Sequence, residues 1–136
     1  MDSALLDTDT ISEILRRRNP NVEKNAAQYL TQHSEFAFSA IAHYEIVRGL
    51  LWRKATRQLS AYRRFAARSV VLLTSEEVFE RAAELWAAGR RTGRPHRDAD
   101  LVIAATALIH NRTLVTGNTA HCDWIPGLAV ANWREP

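Results

Sequence analysis

The sequence predicts an α/β protein in which helices flank a short, mostly parallel sheet. Short apolar runs alternate along the chain with longer segments of helical periodicity, which is typical of parallel strands joined by crossover helices. The 136 residues contain no internal repeat and no linker rich in proline or glycine. Because this length is usual for one domain, we expect a single domain over residues 1–136.

The first strand and the first helix are predicted at the N-terminal end. Ala4-Leu5-Leu6 has the continuous apolar pattern of a buried strand, which ends at Asp7. Thr8 or Asp9 is expected to cap a helix over about residues 10–17, whose apolar side chains fall on one face. An Asn-Pro-Asn sequence then ends this helix, because such a sequence favours a turn.

The middle of the chain is predicted to contain three helices and two strands. Residues 22–32, 41–52 and 57–67 carry apolar side chains at helical spacing. The runs at 35–39 and 70–73 are short and rich in phenylalanine, valine and leucine, as expected of strands.

The C-terminal half is predicted to add two helices and two strands. The second of these helices is apolar on most sides, so we expect it to be buried. In order, the elements are a helix capped by Thr74 or Ser75 and ending near Ala88, a basic loop from Gly89 to Arg97, a helix capped by Asp98 and ending near His110, and strands at residues 113–116 and 128–130.

Polar residues lie at the ends of three predicted strands. Asp7 ends the first strand, Ser39 ends the second, and Thr116-Gly117-Asn118 closes the fourth. In parallel sheets, ligands bind beyond the carboxyl ends of the strands. We therefore expect these side chains to meet at one edge of the sheet and to form a site there.

Three carboxylates are the candidate metal ligands of such a site. Asp7 ends a strand, Glu45 lies one turn into the helix after the second strand, and Asp100 lies in the first turn of the apolar helix. Mg²⁺ and Mn²⁺ prefer carboxylate oxygens, and a bound cation would offset the repulsion between clustered acids.

Each of these acids also has a simpler interpretation. Asp7 could do no more than help to cap the next helix, and Glu45 could form a surface ion pair with Arg48. Asp98 and Asp100 could both stabilise their helix through a favourable interaction with its dipole. We assign that role to Asp98, and we keep Asp100 as a ligand because its helix is expected to approach the sheet.

The segment Asp7-Thr8-Asp9 also matches the nucleophile signature of aspartyl-phosphate enzymes of the haloacid dehalogenase type. Those enzymes need a cation, usually a lysine, near the transferred phosphoryl group, whereas neither Lys24 nor Lys54 lies at a predicted strand end. Their paired acids after a late strand are also absent, because Thr116-Gly117-Asn118 contains none. The sequence therefore disfavours this alternative.

Basic residues are concentrated in two stretches that contain no acid. Sixteen of the eighteen basic residues are arginine, whose planar group suits bidentate contacts with phosphate. Two such stretches beside an acidic cluster indicate a polyanionic partner, most simply a nucleic acid. The first stretch, residues 46–75, contains Arg48, Arg53, Lys54, Arg57, Arg63, Arg64 and Arg68, and the second contains Arg90, Arg91, Arg94 and Arg97.

Four segments together resemble the successive motifs of the PIN-domain ribonucleases, specifically the VapC-type toxins of type II toxin–antitoxin (VapBC) pairs. The segments are LLDTDTISEILR, FSAIAHYEIVRGL, GRPHRDADLVIAATAL and TLVTGNTAHCDWIPGLAVANW. The resemblance implies a PIN-like three-layer sandwich around a short, mostly parallel central sheet. It also implies a toxin with Mg²⁺-dependent, or Mn²⁺-dependent, endoribonuclease activity, which hydrolyses phosphodiester bonds in cellular RNA.

The resemblance assigns roles to individual residues. The first three metal-binding acids of the family fall on Asp7, Glu45 and Asp100, which would be both metal ligands and catalytic residues. The fourth acidic position falls on Asn118, and Asp9 stands where asparagine is usual. The residues expected to support the pocket are Asn118, Asp9, Thr8, Ser39 and Thr116, and those expected to bind the RNA backbone are Arg48, Arg94 and Arg97.

The expected partners follow from the same resemblance. Family members usually form homodimers and are inhibited by a VapB-type antitoxin, for which we consider an apolar surface around Leu50, Leu51 and Trp52. Trp52 and Trp124 are candidates for contacts with RNA bases.

We expect a cytoplasmic protein, because Cys122 is the only cysteine and neither a secretory signal nor a membrane-spanning run is visible. The neutral Asn118 leaves open an alternative, a non-catalytic RNA-binding or regulatory module with the same fold.

Overall fold

The computed structural model describes residues 2–136. Every predicted strand and helix is present in it, with ends that differ by a few residues. The elements are β1 (Ala4–Leu6), α1 (Thr8–Arg16), α2 (Pro20–Gln32), β2 (Ala37–Ser39), α3 (Ala40–Trp52), α4 (Thr56–Ala67), β3 (Val70–Leu72), α5 (Glu76–Arg91), α6 (Asp98–Ile109), β4 (Thr113–Val115), a 3₁₀ turn (Thr119–His121) and β5 (Val130–Ala131).

The strands are arranged in the order β5-β4-β1-β2-β3. The hydrogen-bonded strands form two groups, β5-β4-β1 and β2-β3, and every strand pairing within residues 2–136 is parallel. The two groups meet where β1 lies beside β2. Leu5 of β1 lies opposite Leu114 of β4, and Phe38 of β2 lies opposite Val71 of β3. The parallel pairing therefore places the carboxyl ends of β1 and β4 at one edge, as the sequence predicted.

The helix caps differ from the prediction at two positions. The N-cap of α1 is Asp7, not Thr8 or Asp9, because the helix begins directly after β1 and the Asp7 carboxylate accepts from the Thr8 amide at 2.7 Å. Asp98 is the first residue of α6 and is exposed, and the cap position belongs to Arg97. Asp98 therefore acts on the helix dipole and is not the cap.

The helix α5 ends at Arg91, three residues later than predicted, and therefore includes Gly89. A Cβ atom at Gly89 would lie 2.6 Å from the Arg94 carbonyl oxygen and 3.4 Å from the Trp124 ring. Glycine therefore allows the segment 92–97 to fold back closely against the helix. This close approach brings the end of the segment towards the carboxyl edge of the sheet.

Two hydrophobic clusters form the core on either side of α6. All residues from Leu101 to Ala107 are buried, which confirms the prediction that this helix is internal. Cys122 is half-buried and packs against both clusters. Burial, together with nearby carboxylates, raises the pKa of its thiol to about 11, so the residue remains a protonated apolar group. Among residues 2–136, no helix is long and apolar enough to cross a bilayer.

The C-terminal segment is fixed to α2 rather than extending into solvent. Trp133 is 4% exposed, and its ring contacts Tyr29 and Phe36. The Asn25 side-chain amide donates to the carbonyl oxygens of Trp133 and Glu135, both at 2.9 Å. Trp133 is thus part of the core, whereas residues 134–136 after it are exposed.

Replacing Trp133 by alanine should lower the free energy of unfolding by about 3–5 kcal/mol, because a buried ring would leave a cavity. Urea denaturation followed by circular dichroism measures this change. Trp52 is 86% exposed and provides the matched control, so Trp52→Ala should stay within about 0.5 kcal/mol of the parent protein. Equal losses in the two variants would show that the C-terminal segment is not part of the core.

Candidate active site

An open cleft of about 520 Å³ lies at the carboxyl ends of β1 and β4, where the sequence predicted a site. All of the predicted site residues line it except Ser39 and Arg94, which are not among the lining residues in the part of the chain that the structure describes. The residues that line the cleft are Asp7, Thr8, Asp9, Glu45, Arg48, His96, Arg97, Asp100, Leu101, Leu114, Thr116, Asn118, His121, Cys122 and Ile125.

Asp7 is the most confined acid of the cleft. It accepts hydrogen bonds from the Thr8 amide and from the Thr116 side chain. Burial, and then repulsion from Asp9 and more weakly from Asp100, raise the pKa of its carboxyl from 3.8 to about 6. The fold therefore keeps a carboxylate where its negative charge is unfavourable, which is a property of functional sites.

Glu45 approaches Asp7 from the neighbouring helix α3. Its carboxylate accepts a hydrogen bond from the Thr8 hydroxyl at 3.0 Å, so the residue after Asp7 links the two acids. Arg48 lies 3.8 Å from the same carboxylate, at the spacing of three residues that the sequence suggested. Glu45 is thus paired and also directed into the cleft.

Asp100 enters the cleft from the first turn of α6. The guanidinium of Arg97 donates to both of its carboxylate oxygens, at 3.1 and 3.3 Å. Arg97 is largely exposed, with 72% of its side chain accessible, so this fork lies at the surface of the cleft. In this arrangement a cationic group of the chain itself covers one of the candidate ligands.

Asp9 and Asn118 lie where the turn after β4 meets α1. The Asp9 carboxylate accepts from the Gly117 amide at 2.9 Å and lies 3.8 Å from Arg134. Asn118 is exposed, and its backbone N–H donates to the Thr116 hydroxyl at 3.1 Å. Asp9 thus supports the turn that carries Thr116 and Asn118, and Arg134 is a residue that no sequence motif indicated.

Ser39 and Arg94 have other positions. Ser39 is fully buried, and its hydroxyl accepts from the Ala42 amide at 3.2 Å as the cap of α3. It therefore orients the helix that carries Glu45 without reaching the cleft. Arg94 lies 3.8 Å from Asp123 on the loop beyond the rim.

His96 and His121 form an aromatic wall of the cleft next to Asp100, and Trp124 packs against His96. The rings of His96 and Trp124 stack at 5.2 Å, and the His121 ring meets His96 edge-on at 4.7 Å. The Trp124 indole donates to the His121 carbonyl oxygen at 3.0 Å. Burial and the neighbouring His121 lower the pKa of His96, which favours the neutral form of its ring. His96 carried no signal in the sequence, because it lies in a loop that only the fold brings to the site.

The donor set matches a hard divalent cation in chemistry, although the side chains are not gathered around one point. Among residues 2–136, no three His, Cys, Asp or Glu side chains stand close enough to hold a metal as placed. The guanidinium of Arg97 occupies both carboxylate oxygens of Asp100. Burial and the neighbouring Asp9 and Asp100 raise the pKa of Asp7, so a cation bound beside it would stabilise its ionised form.

The fold and this cleft agree with one known class of proteins. The PIN domain family matches residues 4–123, and the chain belongs to this family. Ribonuclease VapC19 of Mycobacterium tuberculosis is 28% identical over 124 residues, which cover 91% of this chain and 95% of that protein. The resemblance noted in the sequence is therefore confirmed as distant homology to VapC proteins.

Solved structures confirm the PIN-like fold. The structure of VapBC2 from Rickettsia felis, bound to a DNA fragment from its promoter, superposes with a TM-score of 0.85 at 25% identity and covers 96% of this chain and 98% of that one. A toxin–antitoxin complex from Klebsiella pneumoniae superposes with a TM-score of 0.72 at 26% identity and covers 96% and 98%. FitAcB from Neisseria gonorrhoeae superposes with a TM-score of 0.77 at 26% identity and covers 98% and 99%. All three are similar to this chain over nearly its whole length.

The raised pKa of Asp7 has a consequence for stability. Because the pKa of Asp7 is higher in the folded than in the unfolded state, ionising its carboxyl costs more free energy in the folded protein. The free energy of unfolding therefore falls as the pH rises from about 4 to above 6. Asp7→Asn removes this charge and keeps a capping oxygen. The variant should be more stable than the parent by up to about 3 kcal/mol at pH 8, and equally stable near pH 4.

Denaturation by urea at a series of pH values measures this difference. The exposed residue Asp98 provides the control, and Asp98→Asn should show a small difference that does not grow between pH 4 and pH 8. A parent protein that is at least as stable as Asp7→Asn at pH 8 would contradict the assignment of an unfavourable charge to Asp7.

Proposed function

We propose that this protein is a Mg²⁺-dependent endoribonuclease and acts as the toxin of a type II toxin–antitoxin pair. The observation that carries the proposal is the meeting of Asp7, Glu45 and Asp100 in one cleft, although they come from three separate elements. Arginines surround this acidic cleft, as a site that binds a polyanion requires. The homology to VapC19, which is named a ribonuclease, supports the same activity.

Asp7, Glu45 and Asp100 would hold the Mg²⁺ ion, or Mn²⁺ in its place. When bound, such an ion supplies a water of lowered pKa and stabilises the charge that grows on the phosphate. The Thr8 hydroxyl orients Glu45, and the Thr116 side chain orients Asp7. These two hydroxyls therefore fix two of the three carboxylates before substrate arrives.

Arg97 and Arg48 would bind the phosphates on either side of the reacting one. Each lies against a candidate ligand, Arg97 on Asp100 and Arg48 on Glu45, and each is more than half exposed. An exposed ion pair is worth about 1 kcal/mol or less, so both guanidinium groups can leave their carboxylates for phosphate at little cost. We propose that binding of the cation and of RNA goes together with this exchange of partners.

A second groove continues from the acidic cleft and would extend the path of the RNA strand. It has a volume of about 460 Å³ and shares Thr8 and Glu45 with the first cleft. Arg18, Arg53 and Gly49 are among the residues that line it. A single strand, whose phosphates are spaced along one edge, matches such a basic groove.

The aromatic wall formed by His96 and His121, with Trp124 packed against His96, would contact a base next to the cleaved bond. Flat side chains bind unpaired bases by stacking. The lowered pKa of His96 favours its neutral form, which suits contact with a base better than contact with a phosphate. The arginines would contribute affinity without sequence preference, whereas this wall would contribute the preference.

The partners follow from the same proposal. Because solved relatives include complexes of a toxin with its antitoxin, we propose a VapB-type antitoxin, a homodimeric toxin and a cytoplasmic location for this chain. Leu50 is 7% exposed and belongs to the core, so it is not available to an antitoxin. Leu51 and Trp52, at 57% and 86% exposed, remain candidates for that surface.

The alternative function is a non-catalytic RNA-binding or regulatory module. The neutral Asn118 and the fork of Arg97 on Asp100 favour it, because both reduce what the cleft offers to a cation. The two functions differ in one measurement: the alternative retains RNA without cleaving it, and is insensitive to Asp7→Asn.

Asp7→Asn and Asp100→Asn should each lower the rate of RNA cleavage by about 100-fold or more, because each removes a ligand charge. Asp98→Asn should leave the rate within about tenfold, since Asp98 is exposed outside the cleft lining. Gel analysis of labelled structured RNAs with Mg²⁺ measures these rates, with a chelator in parallel. Cleavage that survives the chelator, or survives both ligand variants, rules out the proposed mechanism.

Arg48→Gln and Arg97→Gln should each reduce the salt dependence of RNA binding. If each arginine binds one phosphate of a single strand, the slope of log affinity against log salt should become shallower by about 0.7 per variant. Fluorescence anisotropy on the Asp7→Asn background measures binding without cleavage. Lys24→Gln removes the same charge outside both grooves, and a similar change of slope there would contradict the assignment.

A further inference from the structure

The C-terminal strap, residues 132–135, is held firmly beside the acidic cleft. Besides the contacts of Trp133 and Asn25, the Asn21 side chain donates to the Arg134 carbonyl oxygen at 2.8 Å. The Arg134 amide donates to the Asn132 side chain at 3.0 Å. The backbone of Arg134 is therefore fixed on both sides, so its side chain starts from a defined position.

The guanidinium of Arg134 reaches two acids of α1 and lies over the turn after β4. It is 3.8 Å from the Asp9 carboxylate and 3.7 Å from that of Glu13. A Cβ atom at Gly117 would collide with this guanidinium and would lie 2.8 Å from an Asp9 oxygen. Only glycine at position 117 allows the arginine, the acid and the turn to approach so closely.

Asp9 has two alternative uses in this arrangement. As observed, it accepts the Gly117 amide at 2.9 Å and so fixes the turn whose Thr116 contacts Asp7. It also lines the cleft two residues from Asp7, where a released carboxylate would become a further ligand for a cation. The contact with Arg134 favours the first use over the second.

We propose that Arg134 is a positioning residue that holds the Asp9 carboxylate on the Gly117 amide and keeps it out of the cation site. The inference rests on the proposed function, since it takes Asp7, Glu45 and Asp100 as the ligands of a divalent cation. The extra negative charge of Asp9 is balanced by an arginine brought from the other end of the chain.

Arg134→Gln is the central variant for testing this inference. Without the guanidinium, Asp9 should leave Gly117, so the Gly117 amide should exchange its hydrogen faster in nuclear magnetic resonance spectra of the metal-free protein. Calorimetry with Mn²⁺ should show binding tighter by about two- to fivefold, because an exposed ion pair of this strength is lost and a carboxylate is freed. The kcat for RNA should nevertheless fall roughly tenfold, as for other residues that orient ligands.

Rescue separates positioning from simple destabilisation. Adding Asp9→Asn to Arg134→Gln removes the unbalanced charge but keeps an oxygen for the Gly117 amide, so the exchange rate, Mn²⁺ affinity and kcat should return towards the parent values. Arg16→Gln provides the matched control. In the part of the chain that the structure describes, Arg16 pairs with Glu13 at 3.9 Å and not with Asp9, so Gly117 exchange and Mn²⁺ affinity should stay unchanged.

Two outcomes would overturn the inference. One is an Arg134→Gln protein whose Gly117 exchange and Mn²⁺ affinity equal those of the parent. The other is a variant that binds Mn²⁺ more weakly, melts at a lower temperature and is not restored by Asp9→Asn, which would assign the strap a structural role alone. A parent protein that cleaves no RNA would refute the proposed function, whereas Gly117 exchange and its rescue would still decide how Arg134 acts on Asp9.

Discussion

The concentration of carboxylates around the buried Asp7 is the constraint on which the rest of the site depends. A parallel sheet brings the ends of β1 and β4 together, and α3 and α6 add Glu45 and Asp100 to the same cleft. Burial and, after it, repulsion from neighbouring acids make the negative charge of Asp7 unfavourable, which raises the pKa of its carboxyl to about 6. Stability is thus reduced at neutral pH in order to keep an acidic site in place.

The chain balances this charge with arginines that each contact a different acid. Arg97 forks onto Asp100, Arg48 lies near Glu45, and Arg134 lies near Asp9. The first two have largely exposed side chains on the cleft lining. Arg134 is different because its backbone is held by the Asn21 side chain of α2. A fixed arginine of this kind suits a lasting contact with Asp9 better than an exchange between Asp9 and phosphate.

Much of the candidate site follows from local sequence. Asp7 is recognisable because it ends an apolar run, and Asp100 because it begins an apolar helix, so both can be placed at element ends from the sequence alone. The role of Ser39 is harder to predict, since a hydroxyl at a strand end can face a cleft or cap the next helix, and packing selects the second. The predicted cap of α6 was wrong for a similar reason, because helix ends shift by a residue at little energetic cost.

The sequence by itself determined the alternation of strands and helices, the burial of α6 and the acids that the sheet would collect, because periodicity and strand ends are local properties. Only the tertiary structure decided which charges face one another. Arg134 lies 125 positions from Asp9, and His96 reaches Trp124 through a loop folded against Gly89, so both contacts depend on how distant segments pack. Residues far apart in sequence carry no local signal of such proximity, and the energy that holds them together comes from the core around Trp133 and α6.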